Sequence, residues 1–320
     1  LQHFQKARQC AEKIEKLAAS PGAGLGWRPE FLRAPEGAAW EVWRAAKLEA
    51  AARFLDCAPV RIADPRAVSQ AERTELLAQM QLANAALYQW DRSPDGPGAL
   101  DRALLEFCRN FGLRAVEDHR SANGDGVVRI EISRGAQGFY IPYTDRPIAW
   151  HTDGYYNFHG PERCILAMIL HCVAAAQDGG ENRLVDHELA FLRLAESDRA
   201  ALALLLHPEA MTIPEATDEA GRCRAENRGP VFFLAPSGAL AMRYTARKKN
   251  VEWRDAATRA AAAALLALIE AEPLARCEKL RAGQGVLCNN VLHDRAGFAN
   301  GAAARQLRRI RFHNRIDWEV

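Results

Sequence analysis

His151-Thr152-Asp153 sets an imidazole and a carboxylate two residues apart. Alternate residues of a strand point to one face, so both side chains can grip a single ion. The pair ends an apolar stretch, PIAWHTD, and runs into Gly154-Tyr155-Tyr156-Asn157, a loop whose rings can line a pocket. A third donor candidate, His293, lies far along the chain at the end of VLCNNVLH, where closure of a sandwich would bring it to the first two. Two histidines and one carboxylate on one octahedral face leave three positions open, as a non-haem iron(II) oxygenase needs for a bidentate co-substrate and dioxygen. Zinc prefers a tetrahedral site with a bound water. The same donors remain open to a zinc hydrolase working through metal-bound hydroxide, and to a non-catalytic β-sandwich binding module in which the His-Asp pair is structural.

Near the C-terminus, ARQLRRIRF alternates so that Arg305, Leu307, Arg309 and Arg311 share one face while Arg308, Ile310 and Phe312 share the other. Such cations can guard an exposed sheet edge. Guanidinium forks also match carboxylates in bidentate geometry, and this strand follows His293 by a short loop, so a dicarboxylate co-substrate fits it. If Arg305 anchors the distal carboxylate of 2-oxoglutarate, Arg309 lies about 13 Å further at roughly 3.3 Å per residue and meets a substrate anion instead. His171 reads as a core residue; His119, His159, His187, His207 and His313 have no ligand-like pairing.

These side chains need strands to hold them. GVVRIEIS alternates with Val128, Ile130 and Ile132 on one face, and CILAMILHC, PVFFL, ALAMRYT, GVLCNNVL and QLRRIRFHNRI are further strand candidates. Helices group early, in residues 36–55 and after a Ser69/Glu72 capping box ahead of ELLAQMQLANAALYQW, with PVRIADP between them as one short strand. Later helices fall in the LAFLRLAESDRAALALLL region and in DAATRAAAAALLALIEAE, which Asp255 can cap. The turn-rich DRSPDGPGALD marks a boundary near residue 95. The pattern is α+β, mainly β with helices: a helical N-terminal region, 1–95, as scaffold, lid or oligomer contact, and a sandwich or jelly roll, 96–320.

With 320 residues, 49% of them hydrophobic, the chain can bury a substantial core. Basic and acidic residues number 42 and 40, so no net field draws it to nucleic acid or a membrane surface, and a small-molecule substrate is expected. No run reaches the roughly 18 apolar residues of a membrane span. The opening LQHFQKARQCAEKIEKL reads as a charged amphipathic helix, and the leading Leu1 suggests that a segment precedes it. The eight cysteines form no C-x-x-C pair, which fits free thiols in a cytoplasmic setting. A homo-oligomer is compatible with all of this.

Together these segments resemble the taurine dioxygenase and gamma-butyrobetaine hydroxylase family over about residues 100–320. WHTDGYYN resembles its H-T-D strand and loop, and ILHCV with DGGENRLVD its next strand and Gly-Gly turn. NNVLHDRAGF is similar to its distal-histidine segment, and ARQLRRI to its arginine strand. The resemblance implies a double-stranded β-helix core, iron(II) on His151, Asp153 and His293, and 2-oxoglutarate and O2 as co-substrates. It further implies Arg305 as the 2-oxoglutarate anchor and Arg309 as a second carboxylate or substrate contact. Asn182 stands where relatives carry threonine or serine, and Asp294 where a glycine is common. The implied reaction is hydroxylation of an unactivated carbon with release of succinate and CO2. Arg309, with Arg247, Lys248 and Lys249 nearby, favours an anionic substrate group; Tyr155, Tyr156 and Tyr244 suit an apolar or cationic part, so an amino acid or betaine-like acid fits both.

Overall fold

Ser69 opens a helix as its spacing predicts. Its hydroxyl accepts from the Glu72 N–H at 3.3 Å while the Glu72 carboxylate accepts from the Ser69 N–H at 2.7 Å, satisfying two donors that a helix start leaves open. The computed structural model of the chain describes residues 26–96, 98–118, 124–133, 140–217, 221 and 223–317. The amphipathic helix expected at the start of the chain lies outside the described residues.

The early helices are α1 (Ala38–Leu55), α2 (Gln70–Ala83) and α3 (Ala99–Arg109). The helical spacing read through Trp90 stops sooner, because Asn84 adopts a left-handed φ of 54° and caps α2. Beyond it Ala85–Trp90 is a strand, whose backbone finds partners in Gln284–Cys288. Sheet pairing, with the Gln79 amide accepting from the Leu87 N–H at 3.0 Å, supplies partners to that buried segment, and this outweighs the few tenths of a kcal/mol per residue by which propensity prefers helix.

Ten strands build the core: β1 (Val60–Ile62), β2 (Ala85–Trp90), β3 (Val128–Ile130), β4 (Ile148–His151), β5 (Ala167–Ala174), β6 (Asn182–Val185), β7 (Arg276–Glu278), β8 (Gln284–Cys288), β9 (Leu292–Arg295) and β10 (Gln306–Phe312). They form a six-stranded sheet ordered β1-β2-β8-β5-β10-β3 and a four-stranded sheet ordered β7-β6-β9-β4. The pairing therefore runs across residue 95, since β1 and β2 belong to the larger sheet. Later helices α4 (His187–Ser197), α5 (Arg199–Leu205) and α6 (Ala256–Glu270) pack beside the smaller one, with Asp255 capping α6 as expected.

GVLCNNVL is two strands rather than one. Asn290, at φ 50°, breaks it, so that β8 stays in the six-stranded sheet while β9 crosses to the four-stranded sheet. Ile132 likewise differs from its expected face: Val128 and Ile130 are buried, but Ile132 lies beyond β3 and is 39% exposed.

The arginine strand is central, not an edge, with β5 on one side and β3 on the other. Its outer face carries Ile310 and Phe312 into a core with Met80 of α2 and Phe107 of α3, each such side chain worth about 1.5–3 kcal/mol when fully buried. Arg308 on that face pairs with Asp101 of α3 at 2.9 Å. The inner face turns Arg305, Arg309 and Arg311 toward the smaller sheet, with Leu307 packed among Leu170, Leu184 and Val291. The seven described cysteines are free thiols.

Candidate metal centre and anion pocket

β9 pairs antiparallel with β4 so that His293 stands opposite His151, and their ring centroids are 4.2 Å apart. One donor atom from each of His151, Asp153 and His293 lies within 4.8 Å of the others. Nδ1 of His151 lies 2.9 Å from the Ala149 carbonyl, and Nδ1 of His293 lies 3.0 Å from that of Val291. A carbonyl can only accept, so each Nδ1 carries a proton, which leaves Nε2 as the nitrogen available to a metal. Oδ2 of Asp153 is buried without a hydrogen-bond partner. Two oriented imidazoles and an unsatisfied carboxylate oxygen fit a divalent ion on this face.

Burial opposes ionisation of Asp153, but the guanidiniums of Arg309 and Arg311, helped by the imidazoles, outweigh it and hold the carboxyl well below its usual range. Arg309 donates to Oδ1 at 3.0 Å, and Arg311 lies 3.7 Å from the same oxygen. Arg311 also pairs with Glu117 and donates to the Tyr156 hydroxyl at 3.0 Å. The His151 imidazole is pushed down to about 3, first by burial and then by His293, which keeps it neutral and able to bind a metal near pH 7.

Thr152 points away from the ligands and ties their strand to its neighbour: its N–H donates to the Tyr244 carbonyl, and its Oγ1 accepts from the Tyr244 N–H, both at 3.0 Å. Asn290 does more. Its Oδ1 accepts from the Asp153 N–H at 2.8 Å, and its Nδ2 donates to the carbonyls of Asp153 at 3.0 Å and Ile165 at 2.8 Å. Sequence reasoning did not single out Asn290 or Glu117; the first is one of two adjacent asparagines in a stretch read as strand, and the second carries no motif.

Arg305 precedes β10 and is buried, with no carboxylate in salt-bridge range among the described residues. Its guanidinium lies 4.9 Å from the Phe298 ring centroid, and that of Arg295 lies 5.0 Å from the same ring. Burial lowers the affinity of both for their protons, and Arg305 adds to the effect on Arg295. Gly180 adopts φ +79°, and a Cβ there would stand 3.3 Å from Arg305 Nε. The preceding Gly179, at φ +67°, would place a Cβ 2.2 Å from the Gly297 carbonyl, so the Gly-Gly turn lets the backbone close on this pocket. Two residues on, Asn182 is buried and donates to the Gly180 carbonyl over 3.4 Å. It shares a face with Leu184, which is paired with His293. β6 thus links the Gly-Gly turn beside Arg305 to the strand that carries His293. Asp294, which stands where a glycine is common in the family, accepts from Arg183 Nε at 3.0 Å.

The tyrosines separate. Tyr155 packs edge-on to His151 at 6.3 Å, and its hydroxyl accepts from Arg247 at 3.0 Å. Tyr156 sits under Arg311. Tyr244 is instead a core residue: it is 1% exposed, and its hydroxyl donates to the Ala262 carbonyl of α6. Lys248 and Lys249 are exposed beside Arg247. His171 is buried as expected, against Tyr88 and Trp90.

Two facing sheets that close over a two-histidine, one-carboxylate centre define the class of jelly-roll, non-haem iron enzymes. Residues 97–311 match the family described as taurine catabolism dioxygenase TauD, TfdA family. The chain belongs to that family, whose members are iron(II)- and 2-oxoglutarate-dependent dioxygenases with O2 as co-substrate. A uridine-5'-phosphate dioxygenase from Amycolatopsis sp is 38% identical over 100 residues, 30% of this chain and 33% of that protein, so the match spans about a third of the relative's length. Among solved structures, asparagine oxygenase in complex with Fe(II), 2S,3S-3-hydroxyasparagine and succinate is similar with a TM-score of 0.53 and 17% identity, over 95% of this chain and 91% of that one. The non-heme iron oxygenase OrfP, with Fe, succinate and (3S)-hydroxy-L-Arg, gives a TM-score of 0.57 and 15% identity over 84% and 91%. Both likenesses are of fold. No described helix is long and apolar enough to cross a membrane.

Proposed function

We propose that the chain hydroxylates an unactivated carbon of a small anionic, amino-acid or betaine-like substrate while converting 2-oxoglutarate to succinate and CO2. One observation carries this reading: three metal-donor atoms converge beneath the strand that Arg305 leads, a buried guanidinium with no carboxylate in salt-bridge range among the described residues.

In this reading His151, Asp153 and His293 would hold iron(II); Oδ1 of Asp153 lies 3.9 Å from His151 Nε2 and accepts from Arg309, and Oδ2 has no hydrogen-bond partner. Arg305 neutralises the distal carboxylate of 2-oxoglutarate in a site shielded from water, where the pairing is strong, and the second N–H of the Asn182 amide can donate beside it. When bound, iron(II) with 2-oxoglutarate and O2 supplies the oxidising power that replaces a C–H by C–OH as the keto acid loses CO2. The protein positions the reactants and excludes bulk water.

Arg309 Nε is buried without a partner, an omission costing about 1–3 kcal/mol unless a ligand acceptor meets it. It can serve a carboxylate of co-substrate or substrate while its other nitrogen holds Asp153. Tyr155 and Tyr156 line the approach, and the Arg247-Lys248-Lys249 run offers charge to a substrate anion. The ligands and substrate named for the relatives above, hydroxylated asparagine and arginine and uridine 5'-phosphate, all carry an anionic group, which supports this class.

The test is anaerobic addition of iron(II) and 2-oxoglutarate, followed by a screen of amino acids, betaines and nucleoside monophosphates for substrate-dependent succinate. A weak visible charge-transfer band and coupled succinate are expected. No band, with zinc-dependent hydrolysis instead, would overturn the reading.

A further inference from the structure

We infer that Asn290 is a positioning residue: its side-chain amide clips the Asp153 peptide and so sets the spacing between the two ligands on one strand and the third on another. The inference rests on the reading that His151, Asp153 and His293 hold a metal.

Asn290 is 5% exposed, and its amide meets both backbone groups of Asp153, accepting from the N–H at 2.8 Å and donating to the carbonyl at 3.0 Å. A neighbouring strand residue would bind a peptide the same way, so one side chain replaces a missing ladder partner. Its second amide proton goes to the Ile165 carbonyl at 2.8 Å, which fixes the amide plane. Only Val291 and Leu292 separate this clip from His293.

The strand pairing does not do this work alone. β9 and β4 match at His293 with His151 and again at Arg295 with Ile148, with a register shift between them. The bulge disrupts the ladder locally and leaves a residue of β4 unpaired, and it lies beside the metal centre. The turn carrying Asn290 is itself held from the far side, because Asn289 accepts from the Ile316 N–H at 2.8 Å and donates to the Ile316 carbonyl at 3.0 Å. Asn289 therefore ties the turn to the scaffold, and Asn290 ties Asp153 to the turn.

The left-handed φ of 50° at Asn290 provides a clean substitution. Glycine tolerates that conformation, so Asn290→Gly removes the clip without backbone strain. A control is Asn314, whose amide touches none of the three ligands yet also makes three backbone bonds: to Gly112 at 2.9 Å and from Arg114 and Ala115 at 3.2 and 3.0 Å.

Iron(II) is titrated anaerobically into the full chain and its variants, with thermal unfolding and the charge-transfer band with 2-oxoglutarate recorded alongside. Asn290→Gly should weaken iron(II) binding about 10- to 100-fold, as loss of groups that orient metal ligands does, and shift or diminish the band. Asn314→Ala should lower Tm while keeping iron(II) affinity within about twofold. An Asn290→Gly protein with wild-type affinity, or an equal loss in Asn314→Ala, would overturn the assignment. Should Asn290→Gly not fold, Asn290→Asp keeps the acceptor but turns a second oxygen toward two carbonyls; wild-type affinity there overturns it equally. A wild-type chain that binds no iron(II) refutes the metal reading itself, a different result from a wild type that binds and variants that match it.

Discussion

Arg309 reaches from the six-stranded sheet to donate to Oδ1 of Asp153 at 3.0 Å, on the segment that leaves the four-stranded sheet. The contact joins the two layers at the metal centre, leaves Oδ2 as the carboxylate's open oxygen, and keeps the group ionised despite its burial.

Asp153→Ala should therefore do two things. It should abolish iron(II) binding and succinate formation, and it should destabilise the metal-free protein by about 3–5 kcal/mol, because the buried Arg309 loses the one carboxylate it pairs with among the described residues. Chemical denaturation beside metal titration checks both. A loss below about 1 kcal/mol would mean that Glu117 and solvent already compensate the arginine pair.

Arg305→Lys keeps the charge but removes the fork, and should raise the 2-oxoglutarate concentration needed for half-maximal turnover about 10- to 100-fold. Arg308→Leu should leave that requirement unchanged and cost stability instead, since Arg308 faces α3 and Asp101. Steady-state kinetics on both variants would expose an exchange of these roles.

Tyr155→Phe removes the acceptor for Arg247 and should raise the substrate KM several-fold, on the scale of a hydrogen bond worth about 1 kcal/mol. Tyr244→Phe should leave KM alone and lower Tm slightly, because that hydroxyl is spent on Ala262 in the core. An effect of Tyr244→Phe on KM would return it to the substrate pocket.

The metal-free protein should lose stability in mild acid. Burial pushes the His171 imidazole down to about 3 and lowers that of His187 as well. Below about pH 6.5 the unfolded chain binds protons that these folded imidazoles refuse. Stability is thus full above that pH and falls as pH drops toward the folded values, by up to about 1.4 kcal/mol per pH unit for each imidazole. Urea midpoints at a series of pH values should show this slope, and His171→Gln should flatten it; a flat wild-type profile would refute buried neutral histidines.

The sequence by itself determined what depends on neighbours along the chain. Strand alternation put His151 and Asp153 on one face and sorted the arginines of β10 correctly, because a period of two is local geometry. The Ser69 and Asp255 caps were equally legible, since each is a side chain meeting a backbone group three residues on. What only the tertiary structure decided were relationships across the sheets. Ala85–Trp90 became strand because distant backbone groups waited for it, and GVLCNNVL divided between two sheets at a left-handed asparagine. The partners of Asp153 came from residues 290, 309 and 311, and Tyr244 turned into the core. Such contacts are fixed by closure of the two layers, whose burial of apolar surface and pairing of backbone groups no local pattern encodes.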